Sequence, residues 1–402
     1  MEQENSKHDA YEGEEYIEDG ETIEEEIINQ DDPAPMEDDD DEDEEFTFHG
    51  TKPIEGNEDM VELVDDSVQG FFAHKEPIYA IDINPKHENI IVTGGGDDKS
   101  YMWRADSGEQ LFEFGGHTDS VTSVAFSSDG EYVASGGMDG KVRLWKVSNG
   151  EFINSVEGPD EVVWIQWHPR GYVLLAGSSD GTVWMWQMPS GNVMQVFAGH
   201  SAPVTAGLFT PDGKKIVTVS EDGSLIVWDP KTGATILRLS SEDARFHQES
   251  ITCVAVNKDA SLALTGSTDS TAKLVNLNNG NIVASFENHS DSVESVGFCN
   301  TMPLAATASV DGKLCIWDVT TMRLRQTCEH DDAIVKLHWN ENNPLITTCS
   351  ADRTLRMWDA RTGSCVHKWM GHQDTVLGFV VSSDGSTIIT ASDDGCSLVF
   401  KA

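Results

Sequence analysis

Residues 115–145 read GGHTDSVTSVAFSSDGEYVASGGMDGKVRLW, and this stretch decides the fold because the rest of the chain repeats it. Short apolar runs around VTSVAF, YVASGG and KVRLW are separated by SSDG and MDG, which have the composition of tight turns. His117 lies 28 residues before Trp145, and the interval recurs from His200 to Trp228, His289 to Trp317 and His330 to Trp358. His247 reaches Val275 and His372 reaches Phe400 at the same spacing, Gly158 reaches Trp186 without a histidine, and His74 to Trp103 is one residue longer. The eight starts are 41 to 47 residues apart. A strand unit of this length cannot bury its apolar face alone, so in-phase copies imply an array of stacked, all-β repeats.

Each copy also carries an aspartate six residues before its Trp position: Asp97, Asp139, Asp180, Asp222, Asp269, Asp311, Asp352 and Asp394. Four residues before each Asp stands Thr93, Ser135, Thr218, Thr265, Thr307, Thr348 or Thr390, and only the third copy differs, with Ala176. The period and these motifs resemble those of WD-repeat proteins. The resemblance implies a β-propeller in which each blade chains His, Ser/Thr, Asp and Trp by hydrogen bonds: His74, Thr93, Asp97 and Trp103; His117, Ser135, Asp139 and Trp145; His200, Thr218, Asp222 and Trp228; His289, Thr307, Asp311 and Trp317; His330, Thr348, Asp352 and Trp358. A buried imidazole needs both ring nitrogens satisfied, which a carboxylate and a hydroxyl can do. Gly158 and Ala176 depart together, as partners should. A Ser/His/Asp set can form a catalytic triad, but one repeated along the chain with Thr as the usual hydroxyl is a scaffold. Gly94-Gly95-Gly96 precedes a blade aspartate rather than opening a helix, so it is no dinucleotide loop. The chain is expected to be no enzyme and to hold no cofactor or metal.

Ring closure is legible at the two ends. Phe71 lies three residues before His74, as Phe114, Phe197, Phe286 and Trp369 do before their histidines. Residues 66–74 therefore read as an outer strand without a blade, and the copy from His372 stops before its own outer strand. The first would complete the last, leaving no gap at the chain ends. This predicts an eight-bladed propeller over 66–402, or seven blades if the irregular third or fifth copy is incomplete. Residues 1–58 are predicted to be a disordered acidic tail.

The 402 residues carry a net charge of −44. Residues 1–50 hold 23 Asp/Glu against Lys7, so −22 lies there and −22 in the remainder. A field of this sign repels phosphate, so basic protein partners are expected and direct nucleic-acid binding is not. No apolar run is long enough to span a bilayer, and the seven cysteines contain no CxxC pair. A soluble monomer of the cytoplasm, with access to the nucleus, is the expectation.

The informative side chains sit beside the histidines. Two residues after each start come Glu76, Asp119, Asp160, Ala202, Glu249, Asp291, Asp332 and Asp374, to which Glu161 and Asp331 add. In a closed ring these carboxylates would surround one mouth of the channel, where a cationic partner would relieve their repulsion. Such residues also cap local turns. The longest interval places an insertion near 240–250 on the same face. Trp164, six residues after Gly158, where most copies have a small residue, reads either as repacking around the missing histidine or as an aromatic anchor beside the acids.

VWIQWHPRGYVLLAGSSDGTVWMWQMPSG (163–191), ITCVAVNKDASLALTGSTDSTAKLV (251–275) and SVESVGFCNTMPLAA (292–306) are similar to the degenerate repeats of the angio-associated migratory cell protein family, whose members include a ribosome-assembly chaperone. The resemblance implies a chaperone that captures the basic N-terminal segment of a newly made large-subunit ribosomal protein for 60S assembly. A histone-binding propeller and a general scaffold in signalling or cell migration are the alternatives.

Overall fold

The computed structural model describes residues 64–402; the predicted tail, 1–58, lies outside them. The described residues form 32 strands and no helix, arranged as eight four-stranded antiparallel sheets. Blades 1 to 7 are contiguous in sequence, over 78–114, 121–157, 162–198, 206–239, 251–286, 293–329 and 334–369. The third and fifth copies each form a complete blade, which settles the count at eight. Blade 8 takes three strands from 376–401 and its outer strand from Gln69–Phe71, which pairs antiparallel with Ser397–Lys401 through Gln69↔Val399 and Phe71↔Ser397. Closing the ring with the first strand ties the two ends of the propeller together in one sheet.

The cores lie between neighbouring blades. Leu304, Ile316, Ile334, Trp339 and Ile346, all buried, join blades 6 and 7, while Phe71, Ile91, Trp103 and Val399 join blades 8 and 1. Strand alternation supplies the two apolar faces that each inner sheet needs. The fifth-blade insertion folds as successive turns, with Asp243 N–H donating to Ser240 and Phe246 N–H to Asp243. Phe246 anchors it in the core, 2% exposed and edge-on to His247.

Candidate partner-binding face

Seven blades build the same buried network. His Nδ1 lies 2.8–3.4 Å from the blade aspartate in His74–Asp97, His117–Asp139, His200–Asp222, His247–Asp269, His289–Asp311, His330–Asp352 and His372–Asp394. His Nε2 lies 2.7–3.0 Å from Thr93, Ser135, Thr218, Thr265, Thr307, Thr348 or Thr390. Trp228, Trp317 and Trp358 donate their indole N–H to Thr218, Thr307 and Thr348 at 2.8–3.0 Å. One proton order satisfies these three blades, indole N–H to hydroxyl oxygen, hydroxyl to Nε2 and Nδ1–H to carboxylate, with Ser224 in blade 4 lying 2.8 Å from His200 Nδ1 and relaying the last bond to Asp222 at 2.6 Å.

Burial lowers the pKa of His117, His247, His289 and His330, against the opposing pull of their aspartates. Burial alone would raise the carboxyls of Asp97, Asp139 and Asp394, but the histidine bonds prevail and hold them low, Asp394 at about 2. In His117–Asp139, where both shifts act together, a neutral imidazole on an ionised carboxylate is the resting state at pH 7.

The four-member chain expected in five blades is complete in three. In blades 1 and 2 it stops at the hydroxyl: Trp103 stacks on Phe71 at 5.0 Å and Trp145 on Phe114 at 4.8 Å without donating to it, whereas Trp317 stacks on Phe286 at 4.5 Å and still donates to Thr307. Trp103 Nε1 is buried without a partner, as is Trp186 Nε1 in blade 3, where Ala176 offers no hydroxyl.

Blade 3 is rebuilt by a residue that the sequence reading did not single out. A Cβ on Gly158 would fall 2.6 Å from the Trp184 ring, so this indole fills the histidine's side of the blade. Trp184 Nε1 donates to Thr182 at 2.9 Å, and Thr182 donates to Asp180 at 2.6 Å, giving a substitute chain. The signal was available: the matching position holds Tyr101 in blade 1, which packs edge-on against His74 at 4.7 Å. Trp164 does a different job. Its indole donates to the Val204 carbonyl of blade 4 at 2.9 Å, and it packs into the core between those blades.

The network also holds the loop that carries the acids. The residue after each histidine donates its N–H to the blade aspartate in Thr118–Asp139, Ser201–Asp222, Ser290–Asp311, Asp331–Asp352 and Gln373–Asp394, at 2.9–3.2 Å. At the next position the backbone carbonyls of Asp291, Asp332 and Asp374 accept from Ser309, Ser350 and Ser392, each two residues before its blade aspartate. Glu76, Asp119, Asp160, Glu161, Glu249, Asp291, Asp331, Asp332 and Asp374 are all exposed.

In Asp119, Asp291, Asp332 and Asp374 one carboxylate oxygen accepts the next N–H at 2.7 Å, which leaves the other oxygen to solvent. Turn capping and an outward charge therefore coexist. Asp331 is the exception, ion-paired to Arg356 with Lys368 at 3.9 Å. Among the described residues no group of three or more His, Cys, Asp or Glu could hold a metal, and all seven cysteines are free.

The WD domain, G-beta repeat pattern matches residues 66–104, 108–146, 150–187, 191–229 and 244–276, and the anaphase-promoting complex subunit 4 WD40 domain matches 296–390. The human angio-associated migratory cell protein is 41% identical over 364 residues, covering 87% of this chain and 83% of that protein. The chain belongs to the angio-associated migratory cell protein family. Ribosome assembly protein SQT1 of Saccharomyces cerevisiae is 27% identical, over 85% of this chain and 88% of that protein. Among solved structures, Chaetomium thermophilum Sqt1 bound to the N-terminus of the ribosomal protein L10 superposes with a TM-score of 0.80 at 32% identity, over 84% of this chain and 100% of that one. This member of the angio-associated migratory cell protein family is thus related to a propeller solved with a ribosomal-protein segment.

Proposed function

We propose that the chain is a non-enzymatic chaperone that captures the basic N-terminal segment of a newly made large-subunit ribosomal protein and aids 60S assembly. The observation that carries this reading is the set of exposed carboxylates on one face, held outward by the histidine–aspartate network. Mutual repulsion among them is relieved by a cationic ligand, which gives fast, salt-sensitive capture. The relative solved with the N-terminus of ribosomal protein L10 supports the class of client. On this reading the protein works as a monomer in the cytoplasm and nucleus, and masks its client's charge without touching nucleic acid itself.

The test is replacement of Asp119, Asp160, Asp291, Asp332 and Asp374 by Lys in the full chain, with capture of the L10 N-terminal segment measured at low and high salt. Loss of capture with unchanged circular dichroism is expected, and capture by the wild type should weaken steeply with salt. Normal capture by the charge-reversed chain defeats the acidic-face reading. Preferential recovery of histones from cells by the wild type would favour a histone-binding propeller instead.

A further inference from the structure

Around the acidic face the carboxylates are not equivalent. Blade 4 has Ala202 in the acidic position, Glu249 of blade 5 accepts from Thr268 at 3.2 Å, and Asp331 of blade 7 is paired with Arg356. None of the ion pairs among the described residues involves Glu76, Asp119, Asp160 or Glu161 of blades 1 to 3, nor Asp291, Asp332 or Asp374 of blades 6 to 8. The sector of blades 1 to 3 exposes two large apolar side chains, Tyr79 at 45% and Met138 at 40%. Gly96 sits under the first: a Cβ there would lie 3.0 Å from Glu76 Oε2 and 3.4 Å from the Tyr79 ring, so carboxylate and ring share one patch. Met138 donates its backbone N–H to the Ser120 carbonyl at 2.9 Å, which seats it beside Asp119. At the place of Tyr79 in their own blades, Thr122 and Thr205 spend their hydroxyls on the next blade's carbonyl. Tyr79 is left facing outward.

We propose that Tyr79 and Met138 form the specificity element of the face, selecting a basic segment that carries an aromatic or long aliphatic residue beside its cations. This rests on the acidic face being the client site. A guanidinium or ammonium set between the Glu76 carboxylate and the Tyr79 ring gains both charge pairing and cation–π attraction. The flexible thioether of Met138 then accommodates the neighbouring apolar residue without demanding one shape. The remaining carboxylates supply encounter rate, and this sector supplies residence time.

The experiment measures dissociation rates from the full chain for two probe peptides of equal charge. One consists of Arg-Lys-Gly repeats; in the other the central Gly is Tyr. The wild type should release the Tyr peptide roughly three- to tenfold more slowly, because only its ring meets the Met138 thioether. Combined Tyr79→Ser and Met138→Ser substitution should erase that difference while leaving the salt dependence of both peptides unchanged. Val310→Ser, which trims an exposed apolar residue of blade 6 on the same face, should preserve it. Equal release of the two peptides by the wild type, or an unchanged difference in the double variant, overturns the proposal while leaving the charge-based client reading intact. Failure of both peptides to bind at low salt overturns both.

Discussion

The indole N–H of Trp164 in blade 3 closes on the Val204 carbonyl of blade 4 at 2.9 Å, the position at which Thr205 of blade 4 reaches Ile251 of blade 5 at 2.6 Å. Thr122 makes the same clasp from blade 2 to Val162 of blade 3 at 2.5 Å. The third copy has Val163 where those have Thr, so its side chain cannot donate, and the indole one residue later supplies the bond. Room for it comes from two glycines: a Cβ on Gly177 or Gly207 would lie 2.2 or 2.3 Å from the ring. Trp164 is therefore inter-blade repacking, and its donor is already used.

Trp164→Leu should lower stability by about 2–4 kcal/mol, combining a cavity with an orphaned carbonyl. Adding Val163→Thr should recover part of the loss by restoring the usual clasp. Urea midpoints decide it: a Trp164→Leu chain as stable as the wild type, or no recovery in the double variant, would show that the clasp is unimportant.

The blade networks differ in how many groups depend on the hydroxyl. Thr218→Val in blade 4 strands both His200 Nε2 and Trp228 Nε1. Ser135→Ala in blade 2 strands only His117 Nε2, since Trp145 makes no bond to that hydroxyl. Each orphaned buried group costs about 1–3 kcal/mol, so the blade 4 variant should fall further. Equal losses in the two denaturation curves would mean that the tryptophan link adds nothing.

Periodicity made the architecture legible. The 28-residue intervals placed eight blades and the Phe71 register placed the closing strand, because stacking and ring closure are consequences of pattern. What stayed hidden depends on rotamers and on exceptions. Whether an indole stacked on its neighbour also reaches the blade hydroxyl, as Trp317 does and Trp103 does not, is set by rotamers that sequence spacing does not rank. Trp184 escapes the periodic pattern because the third copy's defect is filled from the strand that carries Trp186, not from the position six residues after Gly158. The pairing of Asp331 with Arg356 joins residues 25 apart in sequence, which no local motif announces.

Asp82 of blade 1 accepts the Phe126 N–H of blade 2 at 2.7 Å and the Ile83 N–H at 2.9 Å. Burial pushes its carboxyl up to about 6 despite those bonds and the attraction of Lys336. Asp82→Asn keeps an acceptor oxygen for the blade-to-blade bond and removes the charge. At pH 7.5 the variant should be more stable by about 1–2 kcal/mol. That advantage should shrink to about half by pH 5, where the folded carboxyl is protonated but the unfolded one is not, and vanish only below pH 3.8. A variant that is less stable at pH 7.5 would show that the carboxylate, rather than its acceptor geometry, joins the blades.

Acid should unfold the propeller in two stages, with the histidines acting first. His117, His247, His289 and His330 have folded pKa values depressed below 6.5, so their neutral form is stabilised by folding. Below pH 6.5 the unfolded chain takes up protons that these buried rings resist, and stability falls by up to about 1.4 kcal/mol per pH unit for each of them. Asp97, Asp139 and Asp394, held below their ordinary 3.8, add a second loss as pH drops through that value. Asp82 works in the opposite direction, since its raised value favours the folded state between pH 6 and 3.8, but it is one group against four. Urea unfolding from pH 8 to 4 should thus show a plateau above pH 7 and a steep decline below 6. His117→Gln should lower the starting stability and also reduce that slope by up to one proton's worth. A flat profile from pH 7.5 to 5 would mean that these histidines are protonated as readily in the folded blades as in the unfolded chain.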